Sequence, residues 1–160
     1  MKNLVVYTTR HGFTSRCVQL LQPLLEGETQ VLCLNEQRAS VSLDWSGIDR
    51  VILGGSVYAG KTQQSLSQFA AINSQILKTK TLGLFVCSLS AKTTALNYLN
   101  SMFPKEIFEA SKVQCAFGGG IQWNELKFYE RWILGLMKIK QDVSNLDHGE
   151  ISRMAEALRE

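Results

Sequence analysis

Histidine is scarce in this chain, with only His11 and His148 in 160 residues, and its four cysteines, Cys17, Cys33, Cys87 and Cys115, form no CxxC pair. That leaves no ligand spacing for a metal, and no metal site is expected. Three of the cysteines lie in apolar runs, which predicts small buried core residues rather than reactive or bridged thiols. No stretch approaches the ~18 uninterrupted apolar residues that a membrane span requires. The apolar run after Met1-Lys2-Asn3 is too short for a signal-peptide core and has no small-residue cleavage site behind it. These absences lead us to expect a cytoplasmic protein. Concentrated positive charge is also missing. A net charge of +3 falls far short of a nucleic-acid-binding face, although its sign suits an anionic partner or membrane surface.

What is present is an alternation of short apolar runs with helical periodicities, in a chain that is 45% apolar and 19% charged. That balance is globular, and the length suits one domain, taken as residues 1–160. Residues 3–8, 30–34, 50–55, 81–87 and 112–117 read as five strands, the first of them rich in Val, Tyr and Thr and suited to burial on both faces. Between the first two, Cys17, Leu20, Leu21, Leu24 and Leu25 recur at helical spacing, with Thr14 as expected N-cap and Gly27 as stop. Pro23 falls inside that span and is expected to kink or shorten the helix. Thr62 is the expected cap of a helix carrying Leu66, Phe69, Ala70, Asn73, Ile76 and Leu77, and a further helix is expected over 94–103. The clearest periodicity is the last, Ile151, Met154, Ala155 and Leu158, preceded by an Asp147–Glu150 pair at capping-box spacing. Trp45 is the one large apolar anchor in the polar stretch 35–47. No repeat, low-complexity tract or interdomain linker interrupts the pattern.

Strands alternating with helices imply right-handed crossovers and a parallel sheet. Ligands of such sheets bind beyond the carboxyl ends of the strands, so the loops after strands one, three and four carry the functional expectation. In the first loop, Thr9-Arg10-His11-Gly12-Phe13-Thr14, two hydroxyls bracket a glycine. The free amides of the following helix turn point into that curl, making an anion site to which Arg10 adds a forked cation. The spacing is neither a Walker loop nor a dinucleotide GxGxxG. The second loop, Gly54-Gly55-Ser56-Val57-Tyr58-Ala59-Gly60-Lys61, combines glycines with a tyrosine whose flat face suits a planar ring. The third, Ser88-Leu89-Ser90-Ala91-Lys92, offers backbone groups and hydroxyls.

The first loop resembles the flavodoxin phosphate loop, T/S-x-T-G-x-T, with His11 standing where that pattern has threonine. It is closer still to the menaquinone-dependent protoporphyrinogen oxidase branch of that fold, as are residues 49–57, Gly60 and Phe128-Tyr129-Glu130-Arg131-Trp132. The resemblance implies a flavodoxin-like three-layer α/β sandwich with a five-stranded parallel sheet of order 2-1-3-4-5. It implies FMN, its phosphate held by Thr9, Arg10, His11, Gly12, Phe13 and Thr14. Its ring would lie against Ser56, Val57, Tyr58 and Gly60, with Ser88 and Leu89 opposite. It further implies an oxidoreductase that passes hydrogens from a reduced substrate through FMN to a quinone or small-molecule acceptor. Electron-carrier flavodoxins are usually acidic with an aromatic in the third loop, and this chain has neither feature. A flavodoxin-type carrier serving protein partners and a flavin-less binding module remain the alternatives.

An additional segment, 121–146, separates the fifth strand from the last helix. Leu126, Phe128, Tyr129, Trp132, Ile133, Leu134, Leu136, Met137 and Ile139 make its helix apolar around much of its circumference, while Lys127, Arg131, Lys138 and Lys140 add positive charge. The pattern is compatible with packing on the sheet, with a homodimer contact, with a substrate wall built on Trp132 and Met137, or with the inner face of an anionic membrane.

Overall fold

The structure is a computed structural model that describes all residues except 36–41, 59–60, 122, 124–125, 137 and 139–142. In chain order its elements are β1 (Lys2–Tyr7), α1 (Phe13–Leu21), β2 (Glu28–Cys33), β3 (Arg50–Tyr58), β4 (Lys61–Thr62), α2 (Gln64–Ile72), α3 (Ser74–Leu77), β5 (Thr81–Cys87), α4 (Lys92–Met102), α5 (Lys105–Ala110), β6 (Val113–Ala116), β7 (Gly118–Ile121), α6 (Phe128–Leu136), β8 (Val143–Leu146) and α7 (His148–Arg159). The main sheet runs β2-β1-β3-β5-β6, all parallel, with the short β4 paired antiparallel to the end of β3. Counting only the five parallel strands, this is the expected order 2-1-3-4-5.

Alternation along the strands explains why both sheet faces are covered. In β1, Leu4 and Val6 join the core beneath α2, α4 and α5, whereas Val5 and Tyr7 join the core beneath α1 and α7. Leu82, Leu84 and Val86 of β5 go to the first side, and Phe85 and Cys87 to the second. Phe85 stacks on Phe117 with ring centroids 4.5 Å apart. Cys17, Cys87 and Cys115 are buried thiols, as their apolar neighbours predict. Burial pushes the Cys115 thiol up to about 12, a direction that suits an inert core residue. Trp45 packs against Phe69 at 6.3 Å.

The helix boundaries differ from the sequence expectation for local reasons. Thr14 is not the cap of α1. Gly12 takes that position at φ 80° and Thr14 lies buried in the first turn. Pro23 does shorten the helix, which ends at Leu21 and passes into a 3-10 turn over Gln22–Leu24. Gly27 therefore lies beyond the stop, at φ 95°. Thr62 belongs to β4, and Gln63 precedes α2 without a side-chain cap. Asn73 splits the expected continuous helix into α2 and α3, with φ −99° and ψ 12°; its side-chain amide donates to the Phe69 carbonyl at 2.9 Å beside the retained backbone bond at 3.1 Å. At α7 the Asp147 carboxylate accepts the Glu150 N–H at 3.0 Å. The reciprocal half of a capping box is replaced, since the Glu150 carboxylate goes to Lys92 and Arg153 instead.

The segment after β6 forms a separate antiparallel ribbon of β7 and β8, with α6 between them in sequence. Its glycines permit close passage. A Cβ on Gly119 would overlap the Ser88–Leu89 backbone, and one on Gly120 would overlap the Phe13 ring. The ribbon is thus wedged between the loop after β5 and the loop after β1.

Candidate functional site

Because β1, β3 and β5 are neighbours in the sheet, the three loops that leave their carboxyl ends converge. The first loop is fixed from within and from both sides. Thr9 Oγ1 accepts the Gly12 N–H at 3.1 Å, the Thr9 N–H reaches Asn35 Oδ1 at 2.6 Å, and Gln63 Nε2 donates to the Thr9 carbonyl at 3.3 Å. Gly12 at φ 80° turns the chain into α1, a conformation that costs a side-chain-bearing residue about 1 kcal/mol. The amides at the start of α1 lack intrahelical acceptors.

A cavity of about 500 Å³ opens where the loops meet, lined by Thr9, Arg10, His11, Phe13, Thr14, Ser56, Val57, Tyr58, Ser88 and Leu89. Ten of the twelve cofactor residues expected from the sequence therefore share one wall system. Gly12 is the turn beneath it, and Gly60 lies outside the described residues. Ser90 of the third loop and Ile133 and Leu134 of the additional segment also line it, and Cys87, Tyr98, Gly120 and Ile121, which the sequence did not single out for the site, join them. For Ile133 and Leu134 only a helical wheel of 128–136 could have separated an inner from an outer face. Trp132 does not line the cavity and is 65% exposed. Its partner in the substrate expectation, Met137, lies outside the described residues.

Among the described residues, the buried Ser56 and Tyr58 hydroxyls and the buried His11 Nε2 have no hydrogen-bond partner, and the buried Thr14 hydroxyl has the Cys87 thiol beside it. Unanswered buried hydroxyls cost about 1–3 kcal/mol each, so two on one cavity suit an occupant that answers them. Desolvation raises the Tyr58 phenol and the Glu130 charge adds to it, against the opposing pull of Arg10. Tyr58 does not present both faces to a ligand. The Arg10 guanidinium lies 4.4 Å from its ring centroid, and His11 meets it edge-on at 5.5 Å.

Glu130, on α6, closes this corner. Its Oε1 accepts Arg10 Nη2 at 2.8 Å and Nε at 3.1 Å, and its Oε2 accepts the Lys127 N–H at 2.9 Å. His11 Nε2 stands 3.5 Å from the same Oε1. Burial alone would raise this carboxyl. The Lys127 amide, Arg10 and His11 outweigh it and hold the group below its ordinary range. Among the described residues no cluster of three or more His, Cys, Asp or Glu could hold a metal, and no helix is long and apolar enough to cross a membrane.

This architecture is similar to that of solved flavodoxins. The chain matches oxidised Flavodoxin 2 from Bacillus cereus with a TM-score of 0.60 at 17% identity, covering 99% of this chain and 98% of the other. Oxidised Flavodoxin 1 from the same organism gives 0.58 at 16% identity, covering 86% and 98%. A Streptococcus pneumonia TIGR4 flavodoxin gives 0.57 at 14% identity, covering 99% and 98%. No curated protein matches the chain. A family model described as a flavodoxin domain matches residues 4–147. With a loop-lined cavity at the carboxyl end of a 2-1-3-4-5 sheet and that match over most of its length, the chain belongs to the flavodoxin domain family.

Proposed function

We propose that the cavity binds FMN and that the protein passes electrons through it between redox partners. The observation that carries this reading is the set of buried hydroxyls on Thr14, Ser56 and Tyr58 around a cavity at the amino end of α1. The α1 amides and Thr14 suit a phosphate, which helix N-termini attract through oriented N–H groups. Ser56, Val57 and Tyr58 on one side, and Ser88 and Leu89 on the other, suit a flat ring. When bound, FMN supplies the electron and hydride chemistry, while the protein supplies orientation and exclusion of water. Phe13, Leu89, Ile121 and Leu134 make much of the lining apolar, which keeps water from a seated ring.

A second reading, oxidation of a reduced organic substrate of the protoporphyrinogen kind with a quinone as acceptor, is favoured by α6. Its Ile133 and Leu134 line the cavity, while Phe128, Tyr129, Trp132 and Leu136 project outward at 87, 51, 65 and 68% exposure. Exposed aromatics beside Lys127 and Lys138 suit an anionic membrane surface, where hydrophobic acceptors reside. Binding to phosphatidylglycerol vesicles but not phosphatidylcholine vesicles supports that contact. A concentration-dependent dimer that loses the exposed face supports a homodimer instead.

The two readings separate in one experiment. The flavin-loaded protein is reduced anaerobically and reoxidised against porphyrinogens, quinones, nicotinamides and protein redox partners. Fast exchange with protein partners alone supports the carrier. Turnover of a porphyrinogen with a quinone supports the oxidoreductase. A protein that takes up no flavin leaves the third possibility, a binding module that uses the fold without its cofactor.

A further inference from the structure

The one formal charge of the first loop that faces the cavity corner is already engaged. Arg10 meets Glu130 Oε1 at 2.8 Å, His11 Nε2 stands 3.5 Å from the same oxygen without a hydrogen bond to it, and the Glu130 side chain is only 3% exposed. Its second oxygen is taken by the Lys127 amide at 2.9 Å, so the carboxylate is fully engaged at the first turn of α6. Glu130 is also the acidic residue of that helix, whose next turn places Ile133 and Leu134 on the cavity. One buried carboxylate therefore links the helix that walls the cavity to the loop beneath it.

We propose that Glu130 is an internal stand-in for the ligand's phosphate. It clasps α6 to the first loop through Arg10, and a phosphate seated in that loop competes with it for Arg10. A guanidinium satisfies a carboxylate and a phosphate with the same forked edge. Here that edge, Nε and Nη2, is already committed to Glu130. A dianion in the loop also meets the Glu130 charge, and like charges repel. Coupling of this kind is reciprocal: whatever strengthens the clasp weakens the phosphate, and the reverse. Glu130 is thus a positioning residue that sets how strongly the cavity prefers a phosphorylated flavin over the bare one. The competition half of the proposal rests on the flavin assignment; the clasp half does not.

The test compares wild type, Glu130→Gln, Arg10→Met and the double variant, using FMN and riboflavin as probes. Glutamine keeps the shape and an acceptor oxygen but removes the charge. In Glu130→Gln the ratio of FMN to riboflavin affinity rises at least about fivefold, the low end of typical coupling. In the Arg10→Met background the same change shifts the ratio less than about twofold, because no shared cation remains. A ratio that stays constant, falls, or rises equally in both backgrounds overturns the competition. Hydrogen exchange of the ligand-free proteins tests the clasp. Amides of 127–136 exchange about tenfold faster in Glu130→Gln while those of β1 and β5 are unchanged, as expected for local opening. Unaltered exchange at 127–136 overturns it. If wild type binds neither flavin, the flavin assignment and the competition fall together, and the exchange result still decides the clasp.

Discussion

The guanidinium of Arg10 covers one face of the Tyr58 ring, 4.4 Å from its centroid. A residue of the loop after β1 thereby closes over a residue at the end of β3, and the first two loops become one surface. The contact also defines which side of Tyr58 is left for a planar ligand. A cation over an aromatic face contributes about 0.5–2 kcal/mol depending on desolvation. Tyr58→Phe keeps that contact and removes the unanswered hydroxyl. It is expected to leave the unliganded protein equally stable or slightly more so, and to weaken flavin binding by the hydrogen bond it loses, about 1 kcal/mol. Thermal melts with and without FMN check both signs.

Thr14→Val removes a buried hydroxyl at the first turn of α1 while preserving shape. Phosphate contacts distinguish FMN from riboflavin, so FMN affinity is expected to fall about tenfold and riboflavin affinity to stay within about twofold. Parallel fluorescence titrations with the two flavins measure the difference. Equal losses for both would place Thr14 against the ring rather than the phosphate.

Glu150, like Glu130, is a buried carboxylate. Its burial raises it, but hydrogen bonds and charge from Arg153 and Lys92 prevail and bring it down to about 2. A depressed folded value means the stabilisation is present above the ordinary glutamate value near 4.5 and is lost as pH falls from there towards 2. Lys92 and Arg153 are half exposed, so solvent screening reduces the contribution to roughly 1–2 kcal/mol. Urea midpoints of wild type and Glu150→Gln are expected to differ at pH 6 and to converge towards pH 2.5. A constant gap across that range would contradict the ion triad.

Gly118 enters β7 at φ 84°, and a Cβ there would run into the Asn145 backbone. Gly118→Ala is expected to cost about 2 kcal/mol or more, from both the left-handed backbone and the displaced ribbon. The ribbon helps seat the loop after β5, so flavin affinity is expected to drop along with the melting temperature. Trp132→Ala, on the outer face of α6, changes stability by less than about 0.5 kcal/mol and leaves flavin affinity intact. It lowers vesicle binding if the exposed aromatic face meets a membrane.

The sheet was legible because its information is local. Runs such as Leu4-Val5-Val6-Tyr7 announce strands buried on both faces, and the spacing of Ile151, Met154, Ala155 and Leu158 fixes the face of α7. The loops of the site followed from strand order. What the sequence concealed depends on tertiary neighbours. Nothing near Thr14 shows that Gly12 would take the cap and leave the threonine inside the helix. The role of Glu130 was hidden for the same reason, since its partners Arg10 and His11 lie some 120 residues away. Trp132 drew attention by its size, yet it is the smaller Ile133 and Leu134 that turn inward. Composition at 128–139 was apolar nearly all round and could not distinguish the two faces.

The central claim is that the curl between β1 and α1 holds the phosphate of FMN, and a direct titration of the ligand-free protein tests it. FMN is added to the protein while its fluorescence and visible spectrum are followed. The expected result is saturation at one flavin per chain with a Kd of about 1 µM or below, near −8 kcal/mol, and weaker binding of riboflavin. No binding of FMN at several hundred micromolar, or riboflavin bound as tightly as FMN, would contradict the claim.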